Sequence, residues 1–378
     1  MSSTFSNKFL YDDEGITTPT STSEINTERT ISYFVYHKLK LFKKEHFRFI
    51  KKMYKNRTSA GRKAETFSVW NPAYFLFPLI VLDYEDKDEL NVYIDECIGY
   101  LKNRIGKEGV FSGFYYDNPH VVTNYSVLIA IALMGKEEGY NLVNRQKTYN
   151  FLMSLKLSNG AFMTSRDMEY DLRSTFAAMV IANEYNILTP ELKEGVVEFV
   201  LSCMNVDGGF SPRPGLESHG GYVHSAIGIL NILNRLDDVD LNAVIRWIAD
   251  RQMEFSGGFQ GRPNKLVDSC YSWWIGSACK IISEHLNISP FWNEEAMTDY
   301  IVRSSQDLSG GFRDHQPTGP NYFHTLYGLA GLCISGLRSF GEGEDHIELP
   351  VLDNMICCPK TLVEKMHKYF YSKPFVVV

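Results

Sequence analysis

One short segment, residues 257–274, concentrates side chains whose types could perform chemistry. Its cations Arg262 and Lys265 suit an anionic group such as a phosphate ester, whereas its carboxylate Asp268 and thiol Cys270 suit a zinc ion. Few reactions need an anionic group and a zinc ion side by side. A catalytic zinc ion takes three protein ligands and keeps one position open, so a third ligand must come from elsewhere in the chain.

A turn of small residues followed by phenylalanine recurs at intervals of about 50 residues and indicates a repeated structure. The phenylalanines that end these turns are Phe114, Phe162, Phe210, Phe259 and Phe312. Two helical stretches separate successive turns, and the second of each pair is apolar on most faces, which is typical of a buried helix. We therefore predict an all-α fold, an α/α barrel (toroid) of repeated helical hairpins with the apolar helices inside. An open superhelix has the same periodicity, but it would expose a concave face that such helices do not suit.

Polar residues follow the turns at the predicted entrances to the inner helices, at one rim of the barrel. They are His120, Arg173, His219, Cys270 and His324. His324 follows its turn at nearly the same distance as Cys270 follows the preceding turn, so neighbouring repeats should bring these two side chains together. With Asp268 they form an O/S/N ligand set. A thiol substrate in the open zinc position would lose its proton and become a nucleophile.

A second group of side chains is predicted to converge on the same rim, namely His219, Arg262, Lys265 and Tyr271. Together with the positive N-terminal ends of the inner helices, they could hold a diphosphate and stabilise it as it leaves. The chain contains no GxxxxGKS or GxxxxGKT motif, so nucleotide-driven phosphoryl transfer has no support. Aromatic residues at helical spacing could line a channel for an isoprenoid inside the barrel.

Composition narrows the class of protein. The chain has 378 residues and a formal net charge of −7, which argues against nucleic acid as a partner. Its apolar stretches are well short of the roughly 20 residues that a bilayer span requires, so we predict no membrane span and a cytoplasmic location. Seven scattered cysteines fit reduced thiols. We expect residues 1–35 to be a weakly ordered N-terminal arm and residues 36–378 to be a single α/α-barrel catalytic domain.

Several segments resemble the β subunits of protein prenyltransferases, and the resemblance runs from about residue 45 to residue 374. Within that family, the farnesyl-transferring members are the most similar. The segments are RQMEFSGGFQGRPNKLVDSCYSWW (251–274), GLESHGGY (215–222), EYDLRS (169–174), NPHVVTNY (118–125) and NYFHTLYGLAGL (321–332). The resemblance implies an α/α barrel that is gripped by a crescent-shaped helical α subunit.

By position, the resemblance implies a role for each rim residue. Asp268, Cys270 and His324 would be the zinc ligands, and Asp314 would bind a magnesium ion. The diphosphate would contact His219, Arg262, Lys265 and Tyr271, and the last three would be catalytic together with the zinc ligands. The isoprenoid would contact Trp70, Arg173, Gly221, Tyr222, Trp274 and Tyr327. The substrate peptide would contact His120, Trp70, Tyr74 and Phe323.

The activity implied by the resemblance is thioether formation between farnesyl diphosphate and the cysteine of a C-terminal CaaX sequence. The implied partners are a farnesyltransferase α subunit, in an obligate heterodimer, and CaaX-terminated proteins such as Ras-like small GTPases. Trp70, Tyr327 and Asp314 match the farnesyl-transferring members at positions where the type I geranylgeranyl enzyme has other residues. A type I geranylgeranyltransferase β subunit is the alternative, and the preferred last residue of the CaaX sequence stays open.

Two other classes of function compete with this interpretation. A terpene cyclase built of helical repeats would need an acidic motif such as DxDD or DDxxD, and the nearest sequence is DDVD at 237–240, in a predicted exposed connection. A scaffold protein could use helical repeats only for binding. Stoichiometric zinc in the folded heterodimer would distinguish the enzyme from the scaffold.

Overall fold

The computed structural model describes residues 18–34, 38–55, 69–113 and 118–377. The helices in these ranges are α1 (Pro19–Phe34), α2 (Lys43–Lys55), α3 (Asn71–Val81), α4 (Lys87–Lys102), α5 (Val121–Met134), α6 (Glu137–Tyr140), α7 (Arg145–Leu155), α8 (Leu172–Glu184), α9 (Pro190–Lys193), α10 (Val196–Ser202), α11 (Gly220–Ile232), α12 (Leu241–Ala249), α13 (Tyr271–Leu286), α14 (Glu294–Asp299), α15 (Tyr322–Ile334) and α16 (Lys360–Tyr371). A π-helical stretch (Tyr300–Ser305) follows α14, 3₁₀ turns span Leu236–Asp238 and Gly343–Asp345, and strands β1 (Ser339–Phe340) and β2 (Ile347–Glu348) pair antiparallel.

The apolar helices form a closed inner ring. Helices α3, α5, α8, α11, α13 and α15 each pack against the next, and α15 packs against α3. This last contact confirms the predicted α/α barrel and excludes the open superhelix, in which the first and last repeats would not meet. The acidic stretch DDVD begins in the exposed 3₁₀ turn, as expected for a connection.

Burial separates the inner helices from the outer ones. Residues 123–134 of α5 are all buried, whereas α12 buries one face only. Helices α2, α10 and α12 cover α3, α11 and α13 from outside. Although the inner helices are strongly apolar, no helix within the described ranges is both long and apolar enough to span a bilayer.

The repeat has a different phase in its first copy. Lys156 bridges to Phe162, and the matching bridge in the first repeat joins Ile105 to Phe111. Phe111 therefore takes the place that we assigned to Phe114, which lies outside the described residues. The prediction was wrong here because the sequence VFSGF carries a phenylalanine on either side of its glycine. The later turn phenylalanines are fully buried, as a structural repeat requires: Phe162, Phe210, Phe259 and Phe312.

Residues 352–358, which we call the floor segment, close the end of the barrel opposite the rim. The Tyr125 hydroxyl, on α5, donates to the Met355 carbonyl at 3.0 Å. On the other side, the Ser277 hydroxyl of α13 donates to the Asn354 carbonyl. Cys357 and Cys358 of the floor segment are fully buried. Within the described residues, this segment thus covers the ends of the inner helices that lie away from the rim.

Residues of the expected N-terminal arm form a helix that packs on the barrel. Residues 19–34 form α1, which packs against the π-helical stretch, and Thr27 is buried beneath it. The Arg303 guanidinium donates to the Phe34 carbonyl at the end of this helix. The polar composition of the arm did not predict this helix, because the helix is stabilised by packing on the last repeat. Residues 1–17 and 35 of the predicted arm lie outside the described residues.

All seven cysteines are unpaired and buried, which agrees with the predicted reduced thiols. Cys97, Cys279 and Cys333 lie within helices and serve as small core residues. Cys270 is different because a carboxylate and a histidine lie beside it at the rim.

Candidate active site at the barrel rim

The rim is built from the N-caps of the inner helices. The N-cap residues are His120 for α5, Asp171 for α8, His219 for α11, Cys270 for α13 and Asn321 for α15. All of these side chains except that of Cys270 accept a hydrogen bond from a backbone N–H of their own helix. The rim therefore combines polar side chains with the positive ends of several helix dipoles.

Asp268, Cys270 and His324 meet at this rim as predicted. One potential ligand atom from each lies within 4.8 Å of the other two, and no other such group of three occurs among the described residues. The Nε2 atom of His324 lies 3.2 Å from Oδ1 of Asp268. A carboxylate oxygen, a thiol sulfur and an imidazole nitrogen at these distances could hold a metal ion.

Asn321 orients His324, and the sequence prediction missed it. Its Oδ1 accepts the backbone N–H of His324 at 3.0 Å and lies 3.0 Å from Nδ1 of the same ring. In a neutral ring Nδ1 is then the donor, which directs the lone pair of Nε2 towards Asp268. Without a metal ion Nε2 can instead carry a proton and donate to Asp268, whereas with one both atoms can serve as ligands. The signal was available, since an asparagine three residues before a histidine at a helix start fits an N-cap.

Electrostatics at the thiol and the carboxylate also fits a cation. Burial raises the pKa of the Cys270 thiol well above its usual range, and the carboxylates of Asp268 and Asp314 raise it further. Burial would raise the pKa of Asp268 as well, but hydrogen bonds from His324 and from the Cys270 backbone outweigh burial and lower it. A bound divalent cation would stabilise the thiolate that this environment otherwise disfavours.

A pocket of about 310 Å³ adjoins these ligand atoms. Its lining includes His219, Arg262, Lys265, Asp268, Tyr271 and Asp314. The structure thus brings the whole predicted diphosphate group together with one metal ligand. Lys265 is exposed and has no ion-pair partner among the described residues, whereas Arg262 pairs with Glu217, an exposed carboxylate that the sequence prediction did not include.

His219 and Tyr271 are linked inside this pocket. Nδ1 of His219 accepts the Gly221 N–H at 3.1 Å, and Nε2 lies 3.1 Å from the Tyr271 hydroxyl oxygen. Burial, assisted by the nearby Arg262, lowers the pKa of His219, so the ring is neutral with its proton on Nε2. Nε2–H donates to the tyrosine oxygen, and the tyrosine hydroxyl hydrogen is free to point at a ligand.

Asp314, the predicted magnesium ligand, lies on the wall of the same pocket. Its Oδ2 is 3.1 Å from Nδ1 of His315, and its other oxygen accepts a hydrogen bond from Thr318. Its backbone carbonyl accepts the Ser269 N–H at 3.0 Å, which ties this loop to the residue before Cys270. The carboxylate is therefore held beside the pocket but has polar partners of its own.

The barrel interior below the rim is aromatic. The rings of Trp274 and Tyr327 are 4.5 Å apart, and Phe323 lies 4.6 Å from Tyr327. Beside α15, at the start of the neighbouring helix α3, Trp70 stacks on Tyr74 at 5.5 Å. These five residues, predicted to contact lipid or peptide, thus form two ring clusters, on α13–α15 and at the start of α3.

The remaining predicted residues lie at the entrances of α5, α8 and α11. Arg173 is exposed and pairs with Asp171 at 3.0 Å, and its charge contributes, after burial, to a lowered pKa of His120. Gly221 and Tyr222 begin α11 beside His219. His120 and Arg173 belong to the same rim as the metal ligands, but the described walls of the 310 Å³ pocket do not include them.

Comparison with known proteins gives consistent results. The family model for the prenyltransferase alpha-alpha toroid domain matches residues 41–369. The protein farnesyltransferase subunit beta of Schizosaccharomyces pombe is 31% identical over 87% of this chain and 90% of its own length. The geranylgeranyl transferase type-2 subunit beta of Saccharomyces cerevisiae is 31% identical over 88% and 99%. Among solved structures, Candida albicans protein geranylgeranyltransferase-I complexed with GGPP superposes with a TM-score of 0.74 at 21% identity, over 88% of this chain and 99% of that chain.

Proposed function

The chain belongs to the prenyltransferase alpha-alpha toroid family as a prenyltransferase β subunit, and from this premise we propose that it is the catalytic subunit of a zinc-dependent protein farnesyltransferase. The observation that carries the proposal is the rim itself. Ligand atoms of Asp268, Cys270 and His324 lie within 4.8 Å of one another, beside a pocket that contains Arg262 and Lys265. A metal site and an anion site in contact are what thioether formation from a prenyl diphosphate requires.

Zinc fits the ligand set, and when bound it would lower the pKa of a substrate thiol and so supply a nucleophile at neutral pH. The protein side chains would do the rest. Arg262, Lys265 and the Tyr271 hydroxyl would bind the diphosphate and stabilise the negative charge that builds up on it as the carbon–oxygen bond breaks. His219 would orient Tyr271 by donating to its oxygen at 3.1 Å.

The aromatic interior supports an isoprenoid as the group transferred. Trp274 and Tyr327 offer apolar faces directly below the rim, so a prenyl chain would exchange water for aromatic contacts. The choice of farnesyl rests on Trp70, Tyr327 and Asp314, which resemble the farnesyl-transferring members, with Asp314 as a magnesium ligand at the diphosphate. The S. pombe relative is named as a farnesyltransferase subunit.

Geranylgeranyl transfer is the second candidate. The S. cerevisiae relative, named as a geranylgeranyl transferase subunit, is as similar in sequence as the farnesyltransferase relative. The two candidates share the zinc ligands and the cationic residues of the diphosphate pocket, and they differ in how long a prenyl chain the interior must accept.

The proposal also includes the partners. We expect an obligate heterodimer with a farnesyltransferase α subunit, CaaX-terminated protein substrates such as Ras-like small GTPases, and a cytoplasmic location. The α subunit would add a lysine to the diphosphate site. We further propose that residues 36–378 act as one catalytic domain.

The test is a transfer assay with the purified heterodimer. Each prenyl diphosphate is incubated with a panel of CaaX peptides, and the prenylated peptides are quantified by mass spectrometry. We expect farnesyl transfer to be preferred, and to stop when metal is chelated. Preferential use of geranylgeranyl diphosphate would replace the farnesyl assignment, whereas a lack of transfer with either lipid would reject the enzyme.

A further inference from the structure

We propose that the floor segment limits the length of prenyl chain that the barrel accepts, and that Met355 is its specificity-determining side chain. The inference rests on the proposed function, because it concerns the lipid bound at that site. It adds a third position to Trp70 and Tyr327, on a different wall of the barrel and in a part of the chain that carries none of the rim motifs.

The side chain of Met355 reaches into the barrel against α11. A Cβ atom built on Gly228 would lie 2.8 Å from the Met355 Cε and 2.6 Å from the Phe176 Cε2. The absence of a side chain at Gly228 thus leaves space for Met355, which packs there beside the Phe176 ring of α8. Gly228 lies about 12 Å along the helix axis from Gly220 at the rim, at 1.5 Å per residue.

This face of α11 looks into the interior. One turn above Gly228, the His224 ring lies 4.9 Å from Phe176 of α8 and 5.2 Å from Trp274 of α13. A side chain that contacts helices on both sides of α11 lies on its inner face. Gly228 lies one turn deeper on the same face. Met355, which packs on Gly228, therefore lies directly below the aromatic wall that would bind the isoprenoid.

The backbone of the floor segment is firmly held. Oδ1 of the buried Asp353 accepts the N–H groups of Met355 at 2.8 Å and Ile356 at 3.2 Å, and the Tyr125 hydroxyl donates to the Met355 carbonyl at 3.0 Å. Two of these bonds fix the turn of the segment itself, and the third ties it to α5. Only the methionine side chain is left to adapt to what lies above it.

The floor is a single layer thick at this point. On its outer side Met355 lines a groove of about 400 Å³ between the ends of the inner helices and residues 351–360. Because no further layer of core lies beneath Met355 among the described residues, the space left by its truncation would stay open and would lengthen the interior. A thioether side chain is apolar and has several rotatable bonds, so it forms a floor that fits the end of one chain and resists a longer one.

The test is the ratio of kcat/KM for geranylgeranyl diphosphate to that for farnesyl diphosphate, measured on the zinc-loaded heterodimer with one CaaX peptide. For Met355→Ala we expect the ratio to rise about tenfold, the lower end of what a hydrophobic pocket achieves between substrates that differ in size. Met355→Val, which removes less volume, should give a smaller rise. Met297→Ala is the matched control, because this fully buried methionine lies on the outer helix α14 and should leave the ratio unchanged.

Gly228→Ala tests the same contact in the opposite direction. The added methyl group would push on Met355 and Phe176, and we expect the ratio to fall at least threefold. Variants that transfer farnesyl normally with an unchanged ratio would overturn the role of the floor while leaving the proposed function intact. If the wild-type heterodimer transferred neither lipid, the proposed function and this inference would fall together.

Discussion

The entrances of α8 and α13 hold equivalent places on the rim, yet their N-cap residues act differently. Asp171 closes a full capping box, in which Oδ1 accepts the Ser174 N–H at 2.9 Å and the Ser174 hydroxyl oxygen accepts the Asp171 N–H at 3.0 Å. Cys270 makes no capping bond with its own helix. Its sulfur lies instead within 4.8 Å of the ligand atoms of Asp268 and His324.

The difference shows how a repeat fold acquires a reactive site. An N-cap normally contributes about 1 kcal/mol to helix stability, so a thiol at this place gives up stability that Asp171 supplies elsewhere. A residue that breaks a local structural rule is a candidate for function. The comparison therefore predicts that a change at Cys270 lowers activity with little loss of stability, whereas a change at Asp171 lowers stability with little loss of zinc.

The largest expected effect belongs to Cys270→Ala. Removal of the thiol should reduce turnover at least about a thousandfold, because the metal site loses its anionic sulfur, yet change the free energy of unfolding by less than about 1 kcal/mol. Turnover and urea denaturation of the heterodimer measure the two quantities. Cys279→Ala, a buried cysteine in the same helix, is the control and should keep its turnover. Equal losses in the two variants would contradict the distinction.

Acid should lower the free energy of unfolding through the buried contact between α2 and the turn before α15. His46 of α2 accepts the Gly311 N–H at 2.9 Å, and burial lowers its pKa to about 4. Because the folded pKa lies below the unfolded value, the stabilisation is complete above pH 6.5 and is lost as the pH falls towards 4, by roughly 3 kcal/mol. Unfolding free energies over this range should fall less steeply in His46→Gln. The surface variant His285→Gln serves as control, and parallel slopes for His46→Gln and the wild type would rule out His46 as the cause.

An intermediate effect is expected at Asn321, which both caps α15 and orients His324. Asn321→Ala should weaken zinc affinity by about 10- to 100-fold, as loss of a ligand's hydrogen-bond partner does, and cost about 1 kcal/mol in stability. Competition with a chromogenic zinc chelator measures the affinity. Asn293→Ala removes an equivalent N-cap, on α14, that has no metal ligand beside it, and it should cost stability alone. An unchanged zinc affinity in Asn321→Ala would show that the His324 imidazole does not need the Asn321 hydrogen bond to bind the metal.

The smallest effect, and the mirror image of the first, is expected at Asp171. Asp171→Ala should lower the free energy of unfolding by about 1 kcal/mol, because the side-chain acceptor for the Ser174 N–H is lost, and should leave the zinc content unchanged. Chemical denaturation and elemental analysis of the same preparation give both values. Asp171→Asn, which keeps a side-chain acceptor, should retain most of the stability. A loss of zinc in Asp171→Ala would mean that the two entrances are not independent.

The sequence allowed the meeting of the candidate metal ligands to be predicted, because a repeat converts distance along the chain into position on a ring. Cys270 and His324 are far apart in sequence but have nearly the same phase, so their meeting followed from the period alone. The same argument misplaced the first turn at Phe114, since two phenylalanines flank the glycine there and only packing selects Phe111.

Features that depend on contacts between distant segments could not be predicted in this way. Helix α1 has a polar, Ser/Thr-rich sequence and gains its order from packing on the last repeat. The floor segment has no periodic pattern, and its place under the barrel depends on hydrogen bonds from Tyr125 and Ser277. Neither the partner of Met355 nor the orienting role of Asn321 follows from a motif.

The zinc content of the purified heterodimer, measured by elemental mass spectrometry, tests the central claim most directly. We predict about one zinc ion per wild-type heterodimer and less than about 0.1 in each of Asp268→Ala, Cys270→Ala and His324→Ala, with all three variants folded. Full zinc occupancy in the three variants, or a folded wild-type heterodimer that holds no zinc, would contradict the account.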